Sequence, residues 1–410
     1  MEKVAVIGSG IIGICSSYFL QKNNFEVTLF DPEKPGSMTS YGHACTFANY
    51  GFIPINSPSL FKEIPSMLIN SESPLSVNYW YILNNLNWAI KFLRNCRKEK
   101  VSYIISSLAN LLNHASSSYD EIFNDINVSE YIKNAEVLSL YKDKDEYLNS
   151  QHTNNLRKKY GVKIQELSSN EIYELEPNIA QIYYKGVMYK GSRYTTNPLM
   201  VSKKIFESFI SRGGNYINDK VINIEKNNNK ILIKSQNNSG LFDKILIAAG
   251  SWSKNLALLV GDKFPLETER GYHLLFNNKD RIINRPVSWP KYGIYFVPLQ
   301  EGLRAAGTVE IAGLKNGINR KRLKMIEDQS RKLFPQLGEV KSNWIGFRPT
   351  LPDSMPIIGE SANHKNIFYS FGHQHIGWTL GAISGKIICD IILRKKTNIN
   401  ISPFDPKRFK

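Results

Sequence analysis

Residues 3–13 read Lys3-Val-Ala-Val-Ile-Gly-Ser-Gly-Ile-Ile-Gly13, and after a helical stretch the chain continues Val27-Thr-Leu-Phe-Asp31. A buried strand, a G-x-G-x-x-G turn, a helix, a second strand and a terminal acid, in that order, predict a dinucleotide-binding βαβ unit. Gly8 makes the tight turn, Gly10 admits a pyrophosphate to the backbone, and Gly13 lets the helix close on the strand. Ser9, Ile11 and Ile12 lie where the helix N-terminus presents N–H groups and partial positive charge to phosphates. Asp31 suits a ribose hydroxyl and argues against a 2′-phosphate, which would require an arginine. The fingerprint alone serves NAD and FAD equally.

Length and composition bound the rest. At 410 residues, with 42% apolar and 21% charged residues, the chain suits a globular protein of two or three domain-sized units. Its net charge of +16 comes from dispersed lysines and arginines, apart from short clusters such as Arg94–Lys98. Without a basic arm or zinc spacing, that charge does not indicate nucleic acid. Cys15, Cys45, Cys96 and Cys389 form no C-x-x-C pair, which favours a reducing compartment over a disulfide scaffold. No signal peptide and no bilayer-length apolar run is evident, so a cytoplasmic location is expected.

Residues 32–75 are rich in proline, glycine, serine and asparagine, a long loop of the kind that carries function. Helices are expected near 77–126, 143–160, 196–211, 319–333 and 378–394. Strands are expected over 221–224, 230–234 and 244–250, then near 272–276, 293–298, 303–307 and 367–370. Asn227–Asn229 reads as a turn between two of them.

Three later segments carry chemistry. Ile247-Ala-Ala-Gly-Ser-Trp-Ser253 is an apolar strand ending in small residues, similar to the strand that in two-part FAD enzymes returns to the dinucleotide, which would here be through Ala249, Gly250 and Trp252. Gly346-Phe-Arg-Pro-Thr-Leu-Pro-Asp-Ser-Met-Pro-Ile-Ile-Gly359 sets Arg348 before a stiff proline-rich turn, apt for a carboxylate through two parallel hydrogen bonds. Phe371-Gly-His-Gln-His-Ile-Gly-Trp-Thr-Leu-Gly381 is a glycine-bounded loop opening a helix whose first N–H groups can stabilise negative charge. His373 and His375, two apart and without a third ligand, assign no metal.

These four segments, in this order, resemble the D-amino-acid oxidase/dehydrogenase superfamily of FAD enzymes, most closely the bacterial D-amino-acid dehydrogenase small-subunit type. The resemblance spans essentially the whole chain. It includes Thr39-Ser-Tyr-Gly-His-Ala-Cys-Thr46, which in such proteins runs beside the flavin, and Glu269-Arg-Gly-Tyr-His-Leu274 in the substrate domain. Where the family tends to carry Asn-Ala-Gly, this chain has His43-Ala44-Cys45.

The resemblance implies an α/β protein. Its Rossmann-like FAD domain, of the glutathione-reductase type, would be discontinuous (1–75, 193–262 and 341–410). An antiparallel-sheet substrate domain would comprise 76–192 and 263–340. Gly8 through Gly13 and Asp31 would hold the ADP half, and Val221 the adenine side. Ser40, His43, Ala44, Cys45 and Thr46 would line the pyrophosphate and ring, and Ala249 and Gly250 the phosphates and ribose. Arg348, Gly372, His373, Gly377, Trp378 and Thr379 would lie near the ring. Arg348 and Tyr272 would contact an amino-acid substrate, and His373 would join them as a catalytic residue. Tyr292 and Tyr295 read equally well as packed strand residues.

The implied reaction passes a hydride from Cα to flavin N5, and the imino acid hydrolyses to a 2-oxo acid and ammonia. The alternative is an oxidase or dehydrogenase of cyclic or N-methyl amines: D-proline, hydroxyproline, sarcosine or glycine. The electron acceptor would be O2 or a quinone of the respiratory chain. Homo-oligomerisation is left open. So is peripheral contact with the inner face of the cell membrane through the aromatic, basic stretch 78–97, although inward packing of its aromatics is the favoured expectation.

Overall fold

The computed structural model describes residues 1–60, 73–227, 229–278 and 280–410. Part of the proline-rich stretch (61–72), with its share of the expected first FAD segment, and Asn228 of the expected turn lie outside the described residues.

The fingerprint folds as its spacing dictates. Lys3–Ile7 is a strand, Ile11–Lys22 a helix and Glu26–Phe30 a second strand parallel to the first. Four of the five residues in each strand are buried, as a parallel sheet covered on both faces requires. Lys244–Ile247 joins on the other side of the first strand, followed by Ile367–Phe371 and an antiparallel edge, Ile357–Glu360. Asn215–Ile217 completes this six-stranded sheet. A three-stranded antiparallel meander, Val221–Asn227, Lys230–Ser235 and Ser239–Phe242, packs beside it.

The second body is a nine-stranded, mainly antiparallel sheet. One half of it, starting from the edge, is formed by Val340–Thr350, Glu267–Phe276, Gly302–Ile311 and Ile294–Leu299. One face of these strands packs on the helix Arg320–Leu333, through Tyr272, Leu274, Phe276, Ile294 and Phe296 against Met325, Ile326 and Leu333. Strand alternation turns the intervening residues to the opposite face.

Two boundaries differ from expectation. Val340–Thr350 is a strand of the nine-stranded sheet, so 341–350, expected in the FAD domain, adds to the other body. The helices Lys98–Leu112 and Ala115–Phe123, expected in the substrate domain, pack instead with the first and last helices of the nucleotide fold. Leu108, Leu111, Tyr119 and Ile122 share one core with Ile14, Tyr18 and Leu380, and the Tyr119 hydroxyl donates to the Trp378 carbonyl at 2.5 Å. Helical periodicity identifies such segments; it does not say which sheet they cover.

The stretch near 78–97 follows its favoured reading only in part. Trp88 is buried and stacks on Phe92 with ring centroids 5.2 Å apart, but Trp80 is 78% exposed, and Leu83, Leu86 and Ile90 are exposed as well.

Candidate active site

A single continuous cavity of about 1040 Å3 runs from the glycine turn to the open face of the nine-stranded sheet. At one end it is lined by Gly8, Gly10, Ile11, Ile12, Asp31 and Val221, and further along by Ala249, Gly250 and Trp252. Gly8 has φ 109°, and a Cβ there would lie 2.6 Å from the Ala248 carbonyl oxygen. Gly13 sits outside the cavity; its Cβ would be 1.8 Å from the Gly8 carbonyl oxygen, so it is the close-packing glycine. Ser9 also lies behind the lining, with its N–H donating to Asp31 Oδ2 at 2.6 Å. Asp31 Oδ1 accepts the Glu33 N–H at 2.9 Å, which fixes the carboxylate at the strand end. Ser40 Oγ accepts the Ile11 N–H at 2.9 Å, tying the loop 39–46 to the helix N-terminus.

That loop forms the middle wall. His43, Ala44 and Thr46 line the cavity, whereas Cys45 (φ 58°) turns away into a pocket with Tyr194 and Val297. The Cys45 N–H donates to His43 Nδ1 at 2.7 Å, so the proton of the neutral ring sits on Nε2. Burial and the nearby Arg304 guanidinium hold the His43 imidazole well below its usual range. His43 stacks on Trp378 at 4.4 Å. Fully buried Arg304 donates to the Tyr41 carbonyl at 2.7 Å and to the His43 carbonyl at 3.3 Å. His273 Nδ1 donates to the Gly42 carbonyl at 3.0 Å and stacks on Trp344. The nine-stranded sheet thus sets the position of the loop.

Gly377 and Trp378, at the start of the last helix, line the cavity with His373, Gln374 and His375. Gly372 (φ 87°) shapes the turn and lies off the lining, as does Thr379, whose hydroxyl accepts the Ala48 N–H at 2.9 Å. His373 lines the wall, but its Nε2 is engaged by Ser384 Oγ at 2.9 Å and burial holds the ring down to about 3. His373, expected among the catalytic contacts, is therefore a neutral strut between loop and helix. His375 stands in the open cavity, yet the surrounding protein and Arg348 hold its imidazole down to about 4.

Arg348 does line the cavity, from within the strand Val340–Thr350 that leads into the proline-rich turn. Its Nη1 donates to the Thr308 carbonyl at 2.8 Å. Its cross-strand neighbour is Glu269. Burial raises the Glu269 carboxyl to about 7 against the pull of Arg348. Gly271, on the same face, leaves the room the guanidinium occupies: a Cβ there would lie 2.3 Å from Nη2.

Tyr272, expected beside Arg348, is not in the cavity. One residue along the strand, it points to the opposite face, where its hydroxyl donates to Glu310 at 2.5 Å. Arg270 Nη1 meets the same carboxylate at 2.9 Å. Tyr292 is likewise buried in the core behind the sheet, whereas Tyr295 lines the cavity. Sequence reading missed Arg157, Arg304 and Glu269 as site residues; their signals are single charged residues in otherwise ordinary helix or strand text.

The model of a family described as FAD dependent oxidoreductase (DAO) matches residues 3–391. The chain belongs to that family. It is 31% identical to a D-amino-acid oxidase of Bradyrhizobium diazoefficiens, an alignment covering 99% of this chain and 98% of that protein. It is 26% identical to a D-amino acid dehydrogenase of Vibrio vulnificus, covering 95% of each. Among solved structures, a glycine oxidase from Geobacillus kaustophilus superposes with a TM-score of 0.77 at 18% identity, over 100% of this chain and 99% of that one.

The protein is an FAD-dependent oxidoreductase, and its cavity suits that cofactor. At the glycine end the turn closes only because Cβ atoms are missing at Gly8 and Gly13, and the open space beside Gly10 would admit a pyrophosphate. In the middle wall, His43 Nε2 and Trp378 Nε1 are buried polar atoms without a hydrogen-bond partner among the described residues. Buried donors of this kind call for an acceptor, and the carbonyl and nitrogen edge of a flavin provides several. Among the described residues no group of acids, histidines and cysteines could hold a metal.

Proposed function

We propose that the enzyme oxidises D-amino acids at the Cα–N bond. The observation carrying this reading is Arg348, a half-buried guanidinium held at the sheet end of the dinucleotide cavity with one nitrogen anchored and another left open by Gly271. Such a fork binds a carboxylate, and with it fixes the position of Cα. The names of the two curated relatives support an amino-acid substrate of D configuration. FAD supplies the hydride-accepting chemistry when bound.

The chain's own residues supply placement and charge. Gly8, Gly10, Ile11, Ile12 and Asp31 hold the ADP half, with Val221 at the adenine. Ala249, Gly250 and Ser40 serve the phosphates and ribose, and His43, Ala44, Thr46, Gly377 and Trp378 the ring. Gly13 and Gly372 act through packing and turn geometry, and Ser9, Cys45 and Thr379 through the backbone they fix. The cavity histidines stay neutral at pH 7, so they do not compete with Arg348 for the carboxylate.

The deciding experiment is an anaerobic absorbance titration of the FAD-loaded enzyme. D-amino acids are expected to bleach the flavin band, with D-proline, hydroxyproline, sarcosine and glycine reacting more slowly. Loss of all bleaching in Arg348→Leu with FAD content intact supports the reading. A flavin bleached only by the cyclic and N-methyl amines overturns it. Peroxide formation on re-aeration separates O2 from a quinone as acceptor.

A peripheral membrane role has one specific support: exposed Trp80, Leu83, Leu86 and Ile90 lie beside the basic residues Lys91 and Arg94. Among the described residues no helix is long and apolar enough to cross a bilayer. Flotation with anionic vesicles, lost in Trp80→Ser/Leu83→Ser, is the expected result; protein that stays at the bottom of the gradient refutes it.

A further inference from the structure

The cavity contains a second guanidinium. Arg157, in the last turns of the helix Lys144–Lys159, lines the same space as Arg348. Its Nε donates to the Tyr50 carbonyl at 3.2 Å and its Nη1 to Asn154 Oδ1 at 3.0 Å. The group also lies over the Tyr189 ring at 5.1 Å. Asn154 is buried and itself held, donating to Tyr141 and Ser150 and accepting from the Tyr189 hydroxyl. The Nε and Nη1 edge is therefore locked into a prepared cradle. The Nη2 edge has no hydrogen bond, and no carboxylate pairs with Arg157, among the described residues.

The sheet relates the two arginines. Arg348 is anchored on Thr308, whose N–H donates to the Gly293 carbonyl. Tyr295 follows Gly293 on the cavity face, about 7 Å further along the strand, and packs with Tyr50 and Tyr189, the neighbours of Arg157. Arg348, Tyr295 and Arg157 thus succeed one another along one wall. Among the described residues, the acids lining the cavity are Asp31, Glu33 and Asp219, and all lie at the nucleotide end. The described sheet end therefore presents two cations to a ligand and no lining acid.

We propose that Arg157 binds a second carboxylate at the far end of the substrate, which makes acidic D-amino acids the preferred class. The inference rests on the reading of this cavity as the amino-acid site. The α-carboxylate pairs with Arg348 and the side-chain carboxylate with the free edge of Arg157. A charge-assisted hydrogen bond of this kind favours the acid over its isosteric amide by about tenfold to hundredfold.

Two readouts on the FAD-loaded enzyme test it. In turnover, kcat/KM for D-glutamate is expected to exceed that for D-glutamine by at least about tenfold. The ratio should fall towards one in Arg157→Gln and recover in part in Arg157→Lys. In binding without turnover, glutarate should perturb the flavin spectrum at about tenfold lower concentration than butyrate, and Arg157→Gln should remove that advantage. A D-glutamate to D-glutamine ratio near one, or equal affinities for glutarate and butyrate, overturns the inference. If no amino acid reduces the flavin while glutarate keeps its Arg157-dependent advantage, the amine-oxidation reading fails and the second anion site stands.

Discussion

Gly271→Ala isolates the placement of Arg348 from its presence. The added Cβ would lie 2.3 Å from Nη2, 2.6 Å from Cζ and 3.1 Å from Nε of Arg348. Carbon and nitrogen in contact sit about 3.5–4.0 Å apart, so the guanidinium must retreat by about 1 Å or more. Nη1 is tethered to the Thr308 carbonyl at 2.8 Å, so the group cannot simply slide; it swings, and Nη2 leaves its position. Loss of one charge-assisted hydrogen bond to the substrate costs about 1.5–3 kcal/mol. That corresponds to about tenfold to 150-fold in kcat/KM, and a 1 Å displacement of a positioning group has an effect of about the same size. The obstructed atoms are the mobile end of a side chain, and Gly271 is not among the residues with positive φ. Fold and FAD binding should therefore survive. The assay is kcat/KM for a D-amino acid in parallel with Tm and the flavin-to-protein ratio. The expected result is a loss of about tenfold or more in kcat/KM with Tm shifted by less than about 3 °C. A kcat/KM within about threefold of wild type would show that the guanidinium has room to spare, and that Gly271 does not set its position.

Tyr272→Phe removes a hydroxyl from the buried Glu310 and Arg270 cluster, so unfolding by urea should show a loss of about 1–3 kcal/mol, with KM changed less than about twofold; a large KM change at unaltered stability would return Tyr272 to the substrate site. Glu269, its folded value raised to about 7 above the ordinary 4.5, is neutral below that pH and anionic above it. The anion competes with substrate for Arg348, so KM should rise as pH passes upward through about 7 and stay flatter in Glu269→Gln; parallel KM profiles would sink this account. The same shift penalises the folded state progressively from about pH 4.5 and fully above about 7, so Glu269→Gln should gain stability over wild type on going from pH 5 to pH 8. Gly13→Ala places a Cβ 1.8 Å from the Gly8 carbonyl oxygen, a backbone atom that cannot step aside, so both Tm and FAD content should fall; a variant purified with full flavin and unchanged Tm would refute the close-packing role.

Much of the nucleotide half was legible because its instructions are local. The G-x-G-x-x-G turn is a backbone requirement at Gly8 and Gly13, met within a few residues of chain, and the apolar runs around it report burial on both faces of a parallel sheet. The substrate half was harder to read. The strands Ile132–Asn134, Val137–Tyr141, Ile164–Ser168 and Lys185–Tyr189 are only three to five residues long, and none of them is foreseen by the pattern reading. The resemblance sets Tyr272 beside the substrate, but in Glu269–His273 the pleat makes neighbours face opposite ways, and only the pairing with Val340–Thr350 fixes which way.

The sequence by itself determined the βαβ unit, because its turn rests on contacts between residues close in the chain, and the family, because each of the four segments is a local motif that can be read without knowing what it touches. The tertiary structure decided which side chains share the cavity. Arg348 reaches it through a strand register with Glu269 and Gly271, Tyr272 is turned behind the sheet by the same register, and Arg157 arrives from a distant helix whose local sequence looks like any solvated surface. Those placements depend on pairings between residues tens to hundreds of positions apart, and a single sequence carries no local signal for them.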